Sequence, residues 1–123
     1  YLEAFDAIDA DPNNEIIVAE HQGDVVAMAQ LTYTPGLSRR GAWRLTIESV
    51  RVRHDFRRHG IGRQLIDEAI SRAEARNCRI VQLTTDHTRA GTRAFYERLG
   101  FRHSHAGMKL DITGRLEKTA SCQ

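Results

Sequence analysis

Arg57-Arg58-His59-Gly60-Ile61-Gly62-Arg63 runs directly into Gln64-Leu65-Ile66-Asp67-Glu68-Ala69-Ile70-Ser71-Arg72-Ala73. Here the chain passes from a basic, glycine-containing loop to an apolar stripe. Ile61, Leu65, Ile66, Ala69, Ile70 and Ala73 recur at three- and four-residue steps, which predicts an amphipathic helix of about four turns ending near Arg76-Asn77. Backbone N–H groups at a helix start lack internal acceptors and carry the positive end of the helix dipole, so an anion fits there. Gly60 and Gly62 would let a diphosphate approach the backbone, and Arg57, Arg58 and Arg63 add positive charge around the opening, with His59 in the same loop. The plainer reading is a loop with glycines for turning and arginines for solubility. Two other nucleotide loops are excluded. No Gly-Lys-Ser/Thr ending is present for a P-loop, and Leu65 stands where a dinucleotide fingerprint needs a third small residue.

Upstream of this loop, Trp43 to Arg53 alternates as a strand. Trp43, Leu45 and Ile47 fall on one predicted face, and Arg44, Thr46, Glu48, Val50 and Val52 on the other. Val25 to Tyr33 is nearly apolar, as expected for a strand covered on both faces. Glu15 to Glu20 precedes it as a short strand, joined through the turn His21-Gln22-Gly23-Asp24. Leu2 to Ala10 reads as the last turns of a helix, broken by Asp11-Pro12-Asn13-Asn14, and Leu37 to Gly41 as a basic loop. Downstream, Arg79 to Thr85 reads as a strand, Thr88 to Leu99 as a helix stopped by Gly100, and Phe101 to Leu110 as a last strand. The first three strands have short connections and are expected to be antiparallel; the crossover helix returns the next strand parallel. The expected fold is a mixed α/β layer, with one domain over residues 1–110 and a polar tail over 111–123.

A chain of 123 residues suits one domain. Its 41% hydrophobic and 28% charged content is that of a globular protein, and a net charge of +2 is too small to imply a nucleic-acid partner. No apolar run approaches the roughly 20 residues of a membrane span. Tyr1-Leu2-Glu3-Ala4-Phe5-Asp6 shows no basic leader, although a trimmed leader stays open because the chain starts at Tyr1. Cys78, at a predicted helix end, and Cys122, in the polar tail, read as free thiols, which suits a cytoplasmic location. His103 and His105 lack companion ligands at useful spacing, so no metal is expected. His54 and His87 read as surface residues, and Ser38-Arg39-Arg40 as a solvated loop or an anion contact.

The loop from Arg57 to Gly62 resembles motif A of the GNAT N-acetyltransferase superfamily, Arg/Gln-x-x-Gly-x-Gly/Ala. The likeness extends upstream to Ile47-Glu48-Ser49-Val50-Arg51-Val52 and downstream to Ala94-Phe95-Tyr96-Glu97-Arg98-Leu99-Gly100-Phe101, similar to motif B, and covers Glu15 to Leu110. It implies a GNAT-like acyl-CoA N-acyltransferase fold, here lacking the usual N-terminal strand and helix. It also implies acetyl-CoA as cosubstrate. Backbone groups of Val50, Arg51 and Val52 would meet the pantetheine amides, N–H groups from Arg58 to Arg63 would hold the pyrophosphate, and the strands flanking the crossover helix would splay apart. Arg89 and Thr92 depart from the Asn and Ala of many relatives; Arg89 is the coenzyme-side candidate from the second helix.

The same resemblance places Tyr96 near the coenzyme sulfur as a proton or hydrogen-bond donor, with core packing beside Phe95 and Phe101 as the alternative. An alkylammonium of pKa about 10.4 needs a base, and Glu48 is the candidate, unless it simply pairs with Arg44 or Arg51. The N–H of Val50 or a neighbour would stabilise an oxyanion, and Cys78 is expected to be inert. The expected activity is N-acetylation of a small primary amine, as in bacterial detoxifying members. An idle acyl-CoA-binding module and a protein lysine or N-terminal acetyltransferase remain open. The sheet edge left without a first strand would favour a homodimer.

Overall fold

In the computed structural model the described residues are 2–85 and 90–115. Its tightest reversal is the predicted turn, where Gln22 (φ 52°) and Gly23 (φ 86°) both take left-handed backbone and His21 pairs with Asp24. Two consecutive positive φ values match the twist of the flanking strands, so the turn closes a two-residue hairpin between β1 (Asn14–His21) and β2 (Asp24–Pro35). β3 (Trp43–Val52) lies antiparallel to β2, and β4 (Cys78–Leu83) parallel to β3, in the order β1-β2-β3-β4. The crossover is helix α3 (Ile61–Ala75), which ends in front of a left-handed Asn77 (φ 59°), a residue whose short amide tolerates that conformation. Helices α1 (Leu2–Ala10) and α4 (Ala90–Arg98) complete the mixed α/β fold.

The core fills the space between α3 and one sheet face. Ile17 of β1, Ala27, Ala29, Leu31 and Tyr33 of β2, and Leu45 and Ile47 of β3 meet Leu65, Ile66, Ala69 and Ala73 of α3. Each buried leucine or isoleucine contributes roughly 1.5–3 kcal/mol, and the alanines let helix and sheet approach closely. The far end of α3 is fixed by polar contacts. Arg72 bridges Glu68 and Glu15, and Arg76 lies 3.7 Å from the Tyr33 ring centre while donating to Pro12 O and Asn13 Oδ1. With that end held against β1, the N-terminus of α3 is presented beside the C-terminal end of β3.

α4 ends as a Schellman motif. Phe101 N–H donates to Tyr96 O, Gly100 N–H donates to Glu97 O, and Gly100 has φ 102°. The accompanying apolar contact is Phe101 against Tyr96, ring centres 5.7 Å apart.

Four expectations are corrected. β2 is not covered on both faces: Ala27, Ala29, Leu31 and Tyr33 are buried, while the interleaved Met28, Gln30 and Thr32 are only half-buried on the other side. The basic loop contains a helical turn, α2 (Ser38–Gly41), unwound by left-handed Arg40 and Gly41. Cys78 opens β4 and does not sit at a helix end. Phe101 to Leu110 forms no strand: Phe101 is held by the α4 cap, and residues 102–110 are exposed with no ladder to any described strand. Among the described residues no helix is long and apolar enough to cross a membrane.

Candidate active site

Gly60 caps α3 with left-handed backbone (φ 79°), and no side chain caps the helix. The first helical bond runs from Gln64 N–H to Gly60 O, which leaves the N–H groups of Ile61, Gly62 and Arg63 without helical acceptors. A side chain at Gly60 would meet no neighbour within 4 Å, so glycine is required there by conformation and not by space. Gly62 differs: a Cβ there would lie at an ordinary contact distance of 3.6 Å from Phe95, so α4 packs beside this residue without requiring glycine. That neighbour was not read from the sequence. Arg57 donates from Nε to Val52 O at 3.3 Å and ties the loop to β3, while the side chains of Arg58, His59 and Arg63 are exposed around the helix start.

Among the described residues the adjacent stretch of β3 has a free edge. Parallel pairing with β4 runs from Trp43–Cys78 to Ile47–Leu83 and stops, whereas β3 continues to Val52 paired with β2 alone. Beyond Ile47 the described residues therefore leave a gap beside β3, because β4 ends at Leu83. Arg53 N–H donates to Val26 O at 2.7 Å, so by strand alternation the N–H and C=O groups of Val52 and Val50 point away from β2 into the gap. Their carbonyls take arginine donors, Arg51 Nη1 at 3.1 Å on Val50 O and Arg57 on Val52 O.

A bulge at Ser49 changes which side chains share a face. The register passes from Gln30–Glu48 to Met28–Arg51, so two β3 residues stand opposite Ala29, and Ser49 takes φ 54°. Val50 and Val52 consequently turn onto the core face, where both pack against the buried cluster. Glu48 and Arg51 remain on the opposite face, which corrects the expectation that Glu48, Val50 and Val52 share one. The extra residue inverts the alternation.

Tyr96 lies in the core cluster, with Phe95 and Phe101 edge-on at 5.1 and 5.7 Å. Burial raises its phenol pKa above the ordinary value of 10.0, so the hydroxyl stays protonated at neutral pH. The ring is thus packed beside Phe95 and Phe101, as the alternative reading had it, and its hydroxyl carries a proton. Glu48 is exposed and takes a long contact from Thr32 Oγ1 at 3.4 Å; neither Arg44 nor Arg51 pairs with it. Around it the outer face is polar. Thr32 and Gln30 donate to Asn14 Oδ1 at 2.7 and 3.2 Å, and Gln82 donates to Thr46 Oγ1 at 3.0 Å. On the same face the Arg44 Nε is buried with no hydrogen-bond partner. This polar row was not identified as a site from the sequence, although the alternation Arg44, Thr46, Glu48 was its signal. Burial raises the pKa of the half-buried Cys78 thiol, which favours its protonated form. Arg89, His87 and Cys122 lie outside the described residues.

Residues 1–101 match the acetyltransferase (GNAT) family. An uncharacterized N-acetyltransferase of Methanocaldococcus jannaschii is 46% identical over 55 residues, which are 45% of this chain and only 24% of that protein's length. Among solved structures the chain is similar to a transcriptional regulator from Bacillus halodurans C-125, with TM-score 0.87 and 48% identity over 89% of this chain and 73% of the other. It is also similar to a putative acetyltransferase from Agrobacterium tumefaciens, with TM-score 0.83 and 34% identity over 89% and 76% of the two chains.

Proposed function

The chain belongs to the acetyltransferase (GNAT) family, and from that premise we propose that it moves an acetyl group from acetyl-CoA to the primary amine of a small molecule. What carries the reading is the stretch of β3 left without a β4 partner beyond Ile47–Leu83, beside an α3 N-terminus that no side chain caps. An amide-bearing arm ending in a diphosphate needs a free β-edge leading to an anion site, and these two features adjoin.

In this reading the amides of the arm pair with Val50 and Val52, and the diphosphate takes the N–H groups at the start of α3. Arg57, Arg58 and Arg63 balance its charge. The acceptor approaches from the outer face. Glu48 takes a proton from the amine, directly or through water, and the free amine attacks the thioester carbonyl. The Val50 N–H stabilises the oxygen that becomes negative. As the C–N bond forms and the C–S bond breaks, the nitrogen gives up its second proton to solvent, and the departing thiolate receives a proton from Tyr96, which regains one from solvent. The products are an N-acetyl amine and the free coenzyme thiol. Base and acid work from opposite faces of the sheet, so neither obstructs the other.

Titration calorimetry and thermal shift with acetyl-CoA, followed by a thiol-release assay across amines, test the reading. Saturable binding and amine-dependent release are expected. A chain that is neither stabilised nor titrated by acetyl-CoA removes the proposal at its first step.

A further inference from the structure

Arg44 and Glu48 stand on one strand and one face, four residues apart, and neither has an ion-pair partner among the described residues. Arg44 is half-buried, and its buried Nε meets no acceptor. A buried N–H donor without an acceptor has lost water and gained nothing in exchange, so the charge of this guanidinium is left uncompensated within the fold. Between the two charges lie uncharged hydrogen-bonding groups. Thr46, joined to Gln82, separates them along β3, and Thr32 and Gln30 flank them on β2. The surface is thus positive at one end, negative at the other and neutral but polar in the middle.

We infer that the acceptor is a dipolar amine, carrying an anionic group held by Arg44 at the end opposite the amine that reaches Glu48. The inference rests on the acetyl-transfer reading above and names the substrate class for it. Four residues of strand span about 13 Å. Two charge-assisted contacts of about 2.8 Å each leave roughly 7 Å between amine and anion. That spacing suits a terminal amine several carbons from its anion and not the adjacent charges of a simple α-amino acid. Carboxylate and phosphate monoester both match a guanidinium, so matched probes decide between them.

The test measures kcat and KM by thiol release for L-lysine against 1,5-diaminopentane, and for 5-aminopentyl phosphate against 5-aminopentanol. In at least one pair the anionic member should be favoured about tenfold to hundredfold, chiefly through KM. The pair that shows the larger preference identifies the anion. Arg44→Gln should bring that ratio towards one; the comparison within each pair on the unsubstituted chain stands even if the variant does not fold. Equal or better use of the neutral members in both pairs overturns the inference, as does a preference that survives Arg44→Gln. Release from other amines but from none of these four overturns it alone, whereas absence of acetyl-CoA binding overturns the reading beneath it.

Discussion

The Tyr33 hydroxyl donates to Glu15 Oε1 at 2.6 Å, and Arg72 reaches the other oxygen of that carboxylate at 2.9 Å. This joins β2, β1 and α3 at the end of the helix away from the proposed site. Burial, then the bond and charge of Glu15, push the Tyr33 pKa up to about 12 from 10.0. The folded chain therefore holds this proton at pH values where the unfolded chain releases it. The stabilisation is complete below about pH 10 and is lost as pH rises towards 12. Denaturant unfolding between pH 8 and 12 should show this decline, and Tyr33→Phe should lessen it while costing about 1–3 kcal/mol at pH 8. A decline of equal size in Tyr33→Phe would assign it to another group.

Gly60→Ala and Gly62→Ala should separate conformation from contact. At Gly60 (φ 79°) any L-residue is strained by about 1–2 kcal/mol, although nothing lies within 4 Å of an added methyl. The strain falls on the residue that aims the α3 N–H groups, so acetyl-CoA affinity should fall about tenfold. At Gly62 the added methyl meets Phe95 at an ordinary 3.6 Å, and the urea midpoint should barely move. If Gly62→Ala were the more damaging to stability, the assignment of the two glycines would be reversed.

Much of this arrangement is legible in the sequence because it is local. The α3 stripe, the Gln22-Gly23 turn and the Gly100 stop each depend on residues a few positions apart, and each lies where its pattern places it. What could not be read depends on partners. Phe101 to Leu110 alternates suggestively, yet a strand needs a neighbour, and none among the described residues offers one. Ser49 has no intrinsic preference for positive φ, so the bulge is invisible in sequence, and with it the true face of Glu48. The unpaired stretch at Val50 and Val52 appears only once the β4 ladder is seen to stop, and the orphaned Arg44 only when every acceptor around it is known.

Tyr96→Phe should retain the packing between Phe95 and Phe101, because no described side chain accepts from its hydroxyl. Stability and acetyl-CoA affinity should change little, while turnover falls by about 10²-fold or more if the phenol supplies the leaving-group proton. Since burial raises the phenol pKa, Tyr96 itself should not cause a loss of turnover below pH 10. Unchanged kcat in the phenylalanine variant would take Tyr96 out of the acid role.

Deletion of Ser49 tests whether the bulge serves stability or chemistry. Because Ser49 is the extra residue opposite Ala29, its removal leaves Val50 and Val52 on the core face and Glu48 on the outer one. It also relieves a non-glycine residue at φ 54°, a strain of about 1–2 kcal/mol. The shortened chain should therefore unfold at the same or a higher denaturant concentration. Its β3, freed of the kink, would run straight beside β4 and narrow the gap into which the Val50 and Val52 backbone groups point. Turnover should then fall while folding survives, read by a thiol-release assay beside a urea titration on the same preparation. Full activity in a stable deletion variant would mean that the bulge is incidental to the gap; loss of folding would mean that it is built into the core.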